Sequence, residues 1–173
     1  NNELALRRPE QADMREVLAS NLEELHRLTG IVNDMLFLSQ ADRGVGARRV
    51  PVSSLASVTV DVLDYHEAAL AEAGLTAKVV GDAHGAFDVP LLRRALSNLL
   101  GNATRYAKNG SIVQVNFRTV DEDRVLISVT NCGDSIDPEI LPHLFDRFFR
   151  ADPARSQGQS NHGLGLAIVG AIA

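Results

Sequence analysis

At 173 residues, the chain is long enough for one ordinary domain and a smaller appendage. An apolar fraction of 45% and a charged fraction of 23% are typical of a folded globular protein. The net charge of −5 argues against a general nucleic-acid-binding surface, which usually carries a basic excess. The single cysteine, Cys132, excludes an internal disulfide and fits a reducing compartment. The sequence predicts neither a membrane span nor a signal peptide, so we expect no direct membrane contact.

A long amphipathic helix is predicted from about residue 10 to residue 40, where the sequence has no proline and only one glycine. Its apolar residues recur at alternating spacings of three and four, which is the seam of a helical bundle. The seam comprises Met14, Leu18, Leu25, Leu28, Val32 and Met35, widened by Leu22, Ile31, Leu36 and Leu38. Because a lone helix has no core, this pattern predicts one half of a dimerising helical hairpin. The alternative is an arm that packs on its own domain. Only a short, incomplete helix is predicted before it, at residues 2–7.

The rest of the chain predicts mixed helices and strands. In chain order these are a linker over 41–49, a strand at 50–52, a helix from Ser53 or Ser54 to about Ala73, strands at 75–80 and 86–88, a helix capped by Asp88 to about Ala107, strands at 111–120 and 124–130, a short helix near 138–144 and a final helix from Gly163. Residues 132–161 form a loop that is long for a compact domain, and such loops are often functional lids. The second half of this loop, which includes Gly158, is predicted to be flexible.

The first candidate site is a pair of asparagines on the helix that Asp88 caps. Asn98 and Asn102 are four residues apart and therefore share one helix face. Asparagine is unfavourable inside a helix, so two on one face call for a reason. Their amide oxygens suit Mg²⁺, while Arg105 and Tyr106 offer a phosphate contact and a stacking surface. The alternative is a solvated polar pair on an amphipathic helix.

Three further blocks follow in a fixed order. The first is Asn131-Cys-Gly133-Asp-Ser135-Ile136 after a strand, which alone would be an ordinary turn. The second is Leu144-Phe145-Asp-Arg-Phe148-Phe149-Arg150, where three of the six phenylalanines cluster; core packing is its simplest explanation. The third is His162-Gly163-Leu164-Gly165-Leu166 at a helix start, where backbone N–H groups can approach phosphate oxygens.

Together the four blocks resemble the N, G1, F and G2 boxes of the ATP-binding domain of sensor histidine kinases. The resemblance implies an α+β fold, the two-layer sandwich shared with gyrase and Hsp90, preceded by a long helix from a dimerisation four-helix bundle. It implies ATP and Mg²⁺ as cofactors, with Asn102 as the metal ligand. The residues implied to contact the nucleotide are Asn98, Asn102, Arg105, Tyr106, Asn131, Gly133, Ile136, Phe145, Phe148, His162, Gly163, Leu164, Gly165 and Leu166.

The sequence departs from the family pattern at two positions. Asn131 stands where the family has an aspartate for the adenine amino group; its carbonyl can accept that bond but carries no charge. Ser135 replaces the second glycine of the G1 box. The asparagine variant, with Asn33–Leu38 and Asn161–Leu166, resembles metal-responsive sensor kinases.

None of the five histidines is predicted to be the phosphoacceptor. The family's acceptor lies in a His-Glu/Asp-Leu-Arg-x-Pro string, which this sequence lacks. His26 lies in a segment that resembles the second dimerisation helix instead, so we expect it at the surface. His162 adjoins the glycine turn and is a candidate nucleotide contact, with a surface position equally open. No His, Cys, Asp or Glu cluster has metal-site spacing.

The resemblance therefore implies a division into residues 1–41 (partial dimerisation segment), 42–50 (linker) and 51–173 (ATP-binding domain, C-terminally incomplete). The implied parent is a sensor protein of the inner membrane, with this portion cytoplasmic. It transfers the ATP γ-phosphoryl group to a histidine of a homodimeric bundle and then to a response regulator receiver domain, in metal-stress signalling. The alternatives are another ATPase of the same sandwich fold, or a non-catalytic module with a degenerate nucleotide site.

Overall fold

A computed structural model describes residues 14–44, 46–151 and 162–173 of the chain. Its elements are α1 (Met14–Asp42), β1 (Val50–Val52), α2 (Leu55–Glu72), β2 (Thr76–Val80), β3 (Gly85–Phe87), α3 (Val89–Tyr106), β4 (Ile112–Thr119), β5 (Val125–Thr130), a 3-10 turn (Leu141–His143) and α4 (Gly165–Ile172). The predicted helix at residues 2–7, the start of the long helix and the second half of the loop lie outside these residues. No helix among the described residues is long and apolar enough to span a bilayer.

The strands form two sheets. In the larger sheet, β4 lies between β2, which runs parallel to it, and β5, which runs antiparallel. β1 and β3 pair antiparallel in the smaller sheet. The predicted hairpin is confirmed, with Thr119 opposite Val125 across the turn.

The main core lies between the larger sheet and helices α2 and α3. Alternate residues of β4, Val113, Val115 and Phe117, are buried in it because successive strand residues face opposite sides. Leu96 and Leu100 of α3 meet them from the helix layer. The predicted two-layer α+β sandwich is confirmed.

Local sequence signals placed most element ends correctly. Ser54 Oγ accepts from Ser57 N–H at 3.0 Å, and Asp88 Oδ1 accepts from Leu91 N–H at 3.1 Å, so both predicted caps are confirmed. Gly74, with φ of +66°, follows α2 as predicted. Leu75 N–H donates back to Leu70, so β2 begins one residue later than predicted.

Two predicted helices differ from the structure. The short helix near 138–144 is only a single 3-10 turn, because Pro142 has no N–H to continue an α-helical ladder. The last helix begins at Gly165 instead of Gly163, since Gly163 has φ of +71°, outside the right-handed helical region.

The long helix exposes most of its predicted seam. The seam side chains are 46–68% exposed at Met14, Leu18, Leu22, Leu25, Leu28, Val32, Met35 and Leu36. Leu38 was also assigned to the seam, and this is wrong: it is 2% exposed and packs with Leu164 and Ile168 of the domain. Ile31, likewise assigned to the seam, also packs against this cluster. One face of the helix therefore packs on the domain, as in the second predicted alternative, and another face remains uncovered.

Candidate functional site

Helix α3 carries the predicted asparagine pair at the border of the core. Leu96, Leu100 and Ala103 are buried on its inner face, whereas Asn98 and Asn102 are half-buried. The Asn98 amide N–H donates to the Arg94 carbonyl at 2.9 Å, one turn earlier on the helix. This bond holds the Asn98 amide in place and leaves its oxygen on the side that faces α4.

The glycine turn before α4 lies directly against Asn98. A Cβ on Gly165 would be 2.9 Å from Asn98 Oδ1, closer than a carbon and an oxygen can pack. A Cβ at position 165 would therefore require the Asn98 side chain to move. The structure thus brings together Asn98 and Gly165, which are 67 positions apart.

Leu164 occupies a different position from the other predicted contact residues. Its side chain is 1% exposed and packs beside Leu38 and Ile168 in a second apolar cluster. Only the backbone of Leu164 is left to meet a ligand at this turn. Leu166, two residues on, is half-buried.

A second close approach joins the end of α3 to the segment after β5. A Cβ on Gly133 would be 2.5 Å from the Tyr106 carbonyl oxygen and 3.3 Å from Asn131 Nδ2. Lys108 N–H also donates to the Cys132 carbonyl at 2.8 Å. The side chains of Tyr106 and Asn131 remain exposed here. The predicted adenine-side residues therefore lie together; Ile136, which follows them, is 51% exposed.

The phenylalanine block is attached to the glycine turn through the backbone. Phe148 N–H donates to the Gly163 carbonyl at 2.9 Å, and a Cβ on Gly163 would lie 2.6 Å from the Phe149 carbonyl oxygen. Phe148 has φ of +63°, unusual for a bulky residue and typical of strained functional segments. The rings of Phe145 and Phe148 are 54% and 52% exposed, so core packing does not explain this cluster.

The side chains of Arg105 and His162 border the same region. Arg105 has a buried Nε atom with no hydrogen-bond partner in the described part of the chain, and it lies three residues after Asn102. His162 Nε2 lies 3.0 Å from Arg27 Nη1 of α1. Burial, and then the charge of Arg27, lower the pKa of His162, so the imidazole is neutral at pH 7 and Nε2 accepts from Arg27. His26, by contrast, is exposed, as predicted.

Reasoning from the sequence did not predict that α1 makes ion pairs next to this site. Asp34 pairs with Arg94 at 2.6 Å, and the Arg94 guanidinium lies 4.2 Å from the centre of the Phe37 ring. Asp42 pairs with Arg147 at 2.7 Å. These partners are 60 and 105 positions apart. No local pattern could have indicated them.

The arrangement fits a Mg²⁺-nucleotide better than a simple polar surface. Amide oxygens of Asn98 and Asn102 are hard neutral donors of the kind Mg²⁺ accepts beside phosphates. The glycine turn presents backbone where a Cβ would block approach, and α4 places its N-terminus there. The unpartnered Arg105 Nε is a donor that an anion could satisfy.

Known proteins resemble this chain along most of its length. Residues 87–173 match the family described as histidine kinase-, DNA gyrase B- and HSP90-like ATPases. Sensor histidine kinase CusS of Escherichia coli K12 is 45% identical over 163 residues, which cover 94% of this chain and 34% of the relative. The chain thus spans about a third of the length of the curated relatives it matches.

Two solved structures share the fold. The histidine kinase AdeS of Acinetobacter baumannii superposes with a TM-score of 0.80 at 22% identity, over 98% of this chain and 78% of that one. Full-length ShkA in complex with AMPPNP also has a TM-score of 0.80, at 24% identity, over 94% of this chain and 34% of that one.

Proposed function

Because the chain belongs to the histidine kinase-, DNA gyrase B- and HSP90-like ATPase family, we propose that it is the ATP-binding kinase core of a sensor histidine kinase. The core binds ATP with Mg²⁺ between α3 and the glycine turn. The relatives named as sensor kinases and the likeness to kinase folds support this proposal.

One observation carries the proposal: three of the four sequence blocks meet at two close backbone approaches, each at a glycine. Gly165 lies against Asn98 in the middle of α3, and Gly133 lies against the Tyr106 carbonyl at its C-terminal end. α3 has 18 residues, and Asn98 and Tyr106 are eight residues apart. At a rise of 1.5 Å per residue they are separated by about 12 Å along the helix axis, a length that suits an extended nucleotide.

Different groups of residues along α3 contact different parts of the nucleotide. Tyr106, Asn131 and Ile136 hold the adenine, with Asn131 accepting from its amino group. Asn102 ligates the metal, while Asn98 and Arg105 orient the phosphates. Bound Mg·ATP supplies the γ-phosphoryl group, and Mg²⁺ neutralises charge on it. The backbone N–H groups of residues 163–166 are fixed donors for the charge that develops during transfer. Phe145, Phe148 and His162 close the phosphate end of the site.

The phosphoacceptor is a histidine of a helical bundle that α1 helps to build. The exposed seam of α1 supports this, because so much apolar surface on one helix calls for a covering helix. Residues 1–41 then belong to the dimerisation segment, 42–50 to the linker and 51–173 to the ATP-binding domain. In the parent, a homodimer at the inner membrane passes the phosphoryl group to a receiver domain. Its stimulus is metal stress.

A Mg²⁺-dependent nucleotide titration tests the proposal. ATP affinity is measured by calorimetry with and without Mg²⁺ for the wild type, Asn102→Ala and Asn33→Ala, the last an exposed asparagine of α1. We expect Asn102→Ala to weaken Mg·ATP binding about tenfold, or about 1.4 kcal/mol, and to remove most of the Mg²⁺ dependence. Asn33→Ala should behave as the wild type. If Asn102→Ala retains both properties, the site is a degenerate module and the kinase proposal fails.

A labelling experiment separates this proposal from a self-sufficient ATPase. After incubation with γ-labelled ATP, we expect no label on the chain and no steady ATP turnover, because none of its histidines lies in an acceptor string. Label on His26 would contradict the assignment of α1. Continuous hydrolysis would favour another ATPase of the same fold.

A further inference from the structure

The C-terminal half of α1 is packed on the helix that begins at the glycine turn. Leu38 is 2% exposed and lies in a cluster with Leu164 and Ile168, which are 1% and 0% exposed. Ile31 and Phe37 pack against the same cluster. We call this cluster, together with the ion pairs and the hydrogen bond around it, the arm contact.

Two ion pairs and one hydrogen bond surround the apolar cluster and reach three different segments of the domain. Asp34 binds Arg94 of α3, Asp42 binds Arg147 of the phenylalanine block, and Arg27 bonds to His162. Arg27 is itself held in place by a bidentate contact with Glu24, with Nε to Oε2 at 2.7 Å. From residue 27 to residue 42 the helix advances about 22 Å, so the contact covers one whole side of the site.

Every partner in the arm contact is next to a predicted nucleotide contact. Arg94 holds the Asn98 amide through its carbonyl at 2.9 Å. Arg147 precedes Phe148, whose N–H binds the Gly163 carbonyl. His162 precedes Gly163, and Leu164 lies between the two glycines. α1 therefore contacts residues that adjoin both walls of the site.

Resting on the proposed function, we infer that α1 is a positioning element for the nucleotide, so that docking of α1 and binding of Mg·ATP strengthen each other. The side chain of Leu164, between the two glycines of the turn, is held by α1, in addition to the hydrogen bonds that the turn makes to Phe148 and within α4. Docking orders this turn before the nucleotide arrives, and less conformational entropy is lost on binding. Thermodynamic linkage requires that the nucleotide stabilises the docked arm by the same factor. Asp34 and Arg94 form the less exposed of the two ion pairs and contribute most to this coupling.

Asp34→Asn tests the inference, because it removes one charge and keeps the shape of the side chain. We expect the Kd for Mg·ATP to rise between about threefold and tenfold, within the range of ordinary coupling between sites. Glu23→Gln removes an exposed acid from the same helix and should leave the Kd unchanged. The swap Asp34→Arg with Arg94→Asp should recover part of the affinity that each single change loses.

Hydrogen exchange supplies a readout that does not depend on nucleotide affinity. In the nucleotide-free protein, Asp34→Asn should speed amide exchange across residues 165–172, whereas Glu23→Gln should not. Mg·ATP should slow exchange across residues 34–42 of the wild type, as reciprocity requires.

Three results would overturn the inference. In the first, Asp34→Asn speeds exchange but leaves the Kd within twofold of the wild type, so the contact is purely structural. In the second, exchange is unaffected, so the contact does not hold α4. In the third, Asp34→Asn tightens binding, and the coupling has the opposite sign. A wild type that binds no Mg·ATP would instead refute the proposed function, and the exchange data would still report on the arm contact.

Discussion

Replacing Gly165 with alanine separates a role in the site from a role in folding. The added Cβ would lie 2.9 Å from Asn98 Oδ1 and 3.6 Å from Asn98 Cγ. The Asn98 side chain must therefore move, although its amide is bonded to the Arg94 carbonyl at 2.9 Å. Losing that hydrogen bond costs about 1 kcal/mol. The displaced side chain would also no longer present its oxygen to the predicted metal and phosphates.

The effect of Gly165→Ala on the free energy of unfolding should be small, because a gain in helix propensity opposes the loss of the hydrogen bond. Gly165 is the first residue of helix α4, where the preference for alanine over glycine is below the about 0.5–1 kcal/mol of a helix interior. The gain in helix propensity offsets part of the loss at Asn98, so the free energy of unfolding should fall by less than about 1 kcal/mol. Affinity for Mg·ATP should nevertheless fall about tenfold.

Denaturant unfolding and nucleotide titration of the same preparations check this prediction. Gly30→Ala is the matched control, since Gly30 lies within α1 and a Cβ there would meet nothing within 4 Å. It should gain about 0.5–1 kcal/mol of stability and bind Mg·ATP as the wild type does. The reasoning is refuted if Gly165→Ala binds Mg·ATP normally, or if it loses more than about 3 kcal/mol of stability, since the glycine would then serve packing alone.

Three further predictions concern the domain that supports the site. Leu100→Ala should lower the free energy of unfolding by about 2–5 kcal/mol, because Leu100 is fully buried in the main core; denaturant unfolding measures it. Asp88→Ala should lower the free energy of unfolding by about 0.5–2 kcal/mol, because the hydrogen bond from Leu91 N–H to the cap is lost. Asp88→Asn should retain most of the wild-type stability in the same assay, since asparagine can also cap the helix. Burial lowers the pKa of His66, which lies 2.7 Å from Ser97 Oγ, so the folded state binds fewer protons than the unfolded state just below pH 6.5. Stability should therefore fall as pH drops below about 6.5, by less than about 1.4 kcal/mol per pH unit, and His66→Gln should flatten this dependence.

The features predicted correctly from the sequence are those with local causes. The caps at Ser54 and Asp88 depend on side chains that reach only three residues ahead. The asparagine pair shares a helix face because of helical spacing alone. The order of the four blocks then gave the fold through resemblance. The error at Gly163 was a displacement of two residues at an element end, whereas at Pro142 an α-helix was predicted in place of a single 3-10 turn.

The close approaches at Gly133 and Gly165 could not be predicted from local sequence patterns. A glycine in the sequence does not say whether it relaxes a turn or makes room for a neighbour. Gly133 and Gly165 make room, for the Tyr106 carbonyl and for Asn98 respectively, and their neighbours are 27 and 67 positions away. Only the folded arrangement reveals which atom fills the space that a Cβ would occupy.

The two faces of α1 explain why its docked residues could not be distinguished from its seam. The exposed seam includes residues 28, 32 and 35, and the docked face includes residues 27, 31, 34, 38 and 42, displaced from the seam by one residue or about 100°. Ile31 and Leu38 match the seam in hydrophobicity, so a search for apolar spacing merges the two stripes. Apolar and charged side chains alternate along the docked face. Its charged residues, Arg27, Asp34 and Asp42, make its ion pairs and hydrogen bonds. Exposed ion pairs each contribute at most about 1 kcal/mol, and the buried cluster is small. A contact of this composition is weak enough to open and close, as coupling between an arm and a nucleotide site requires.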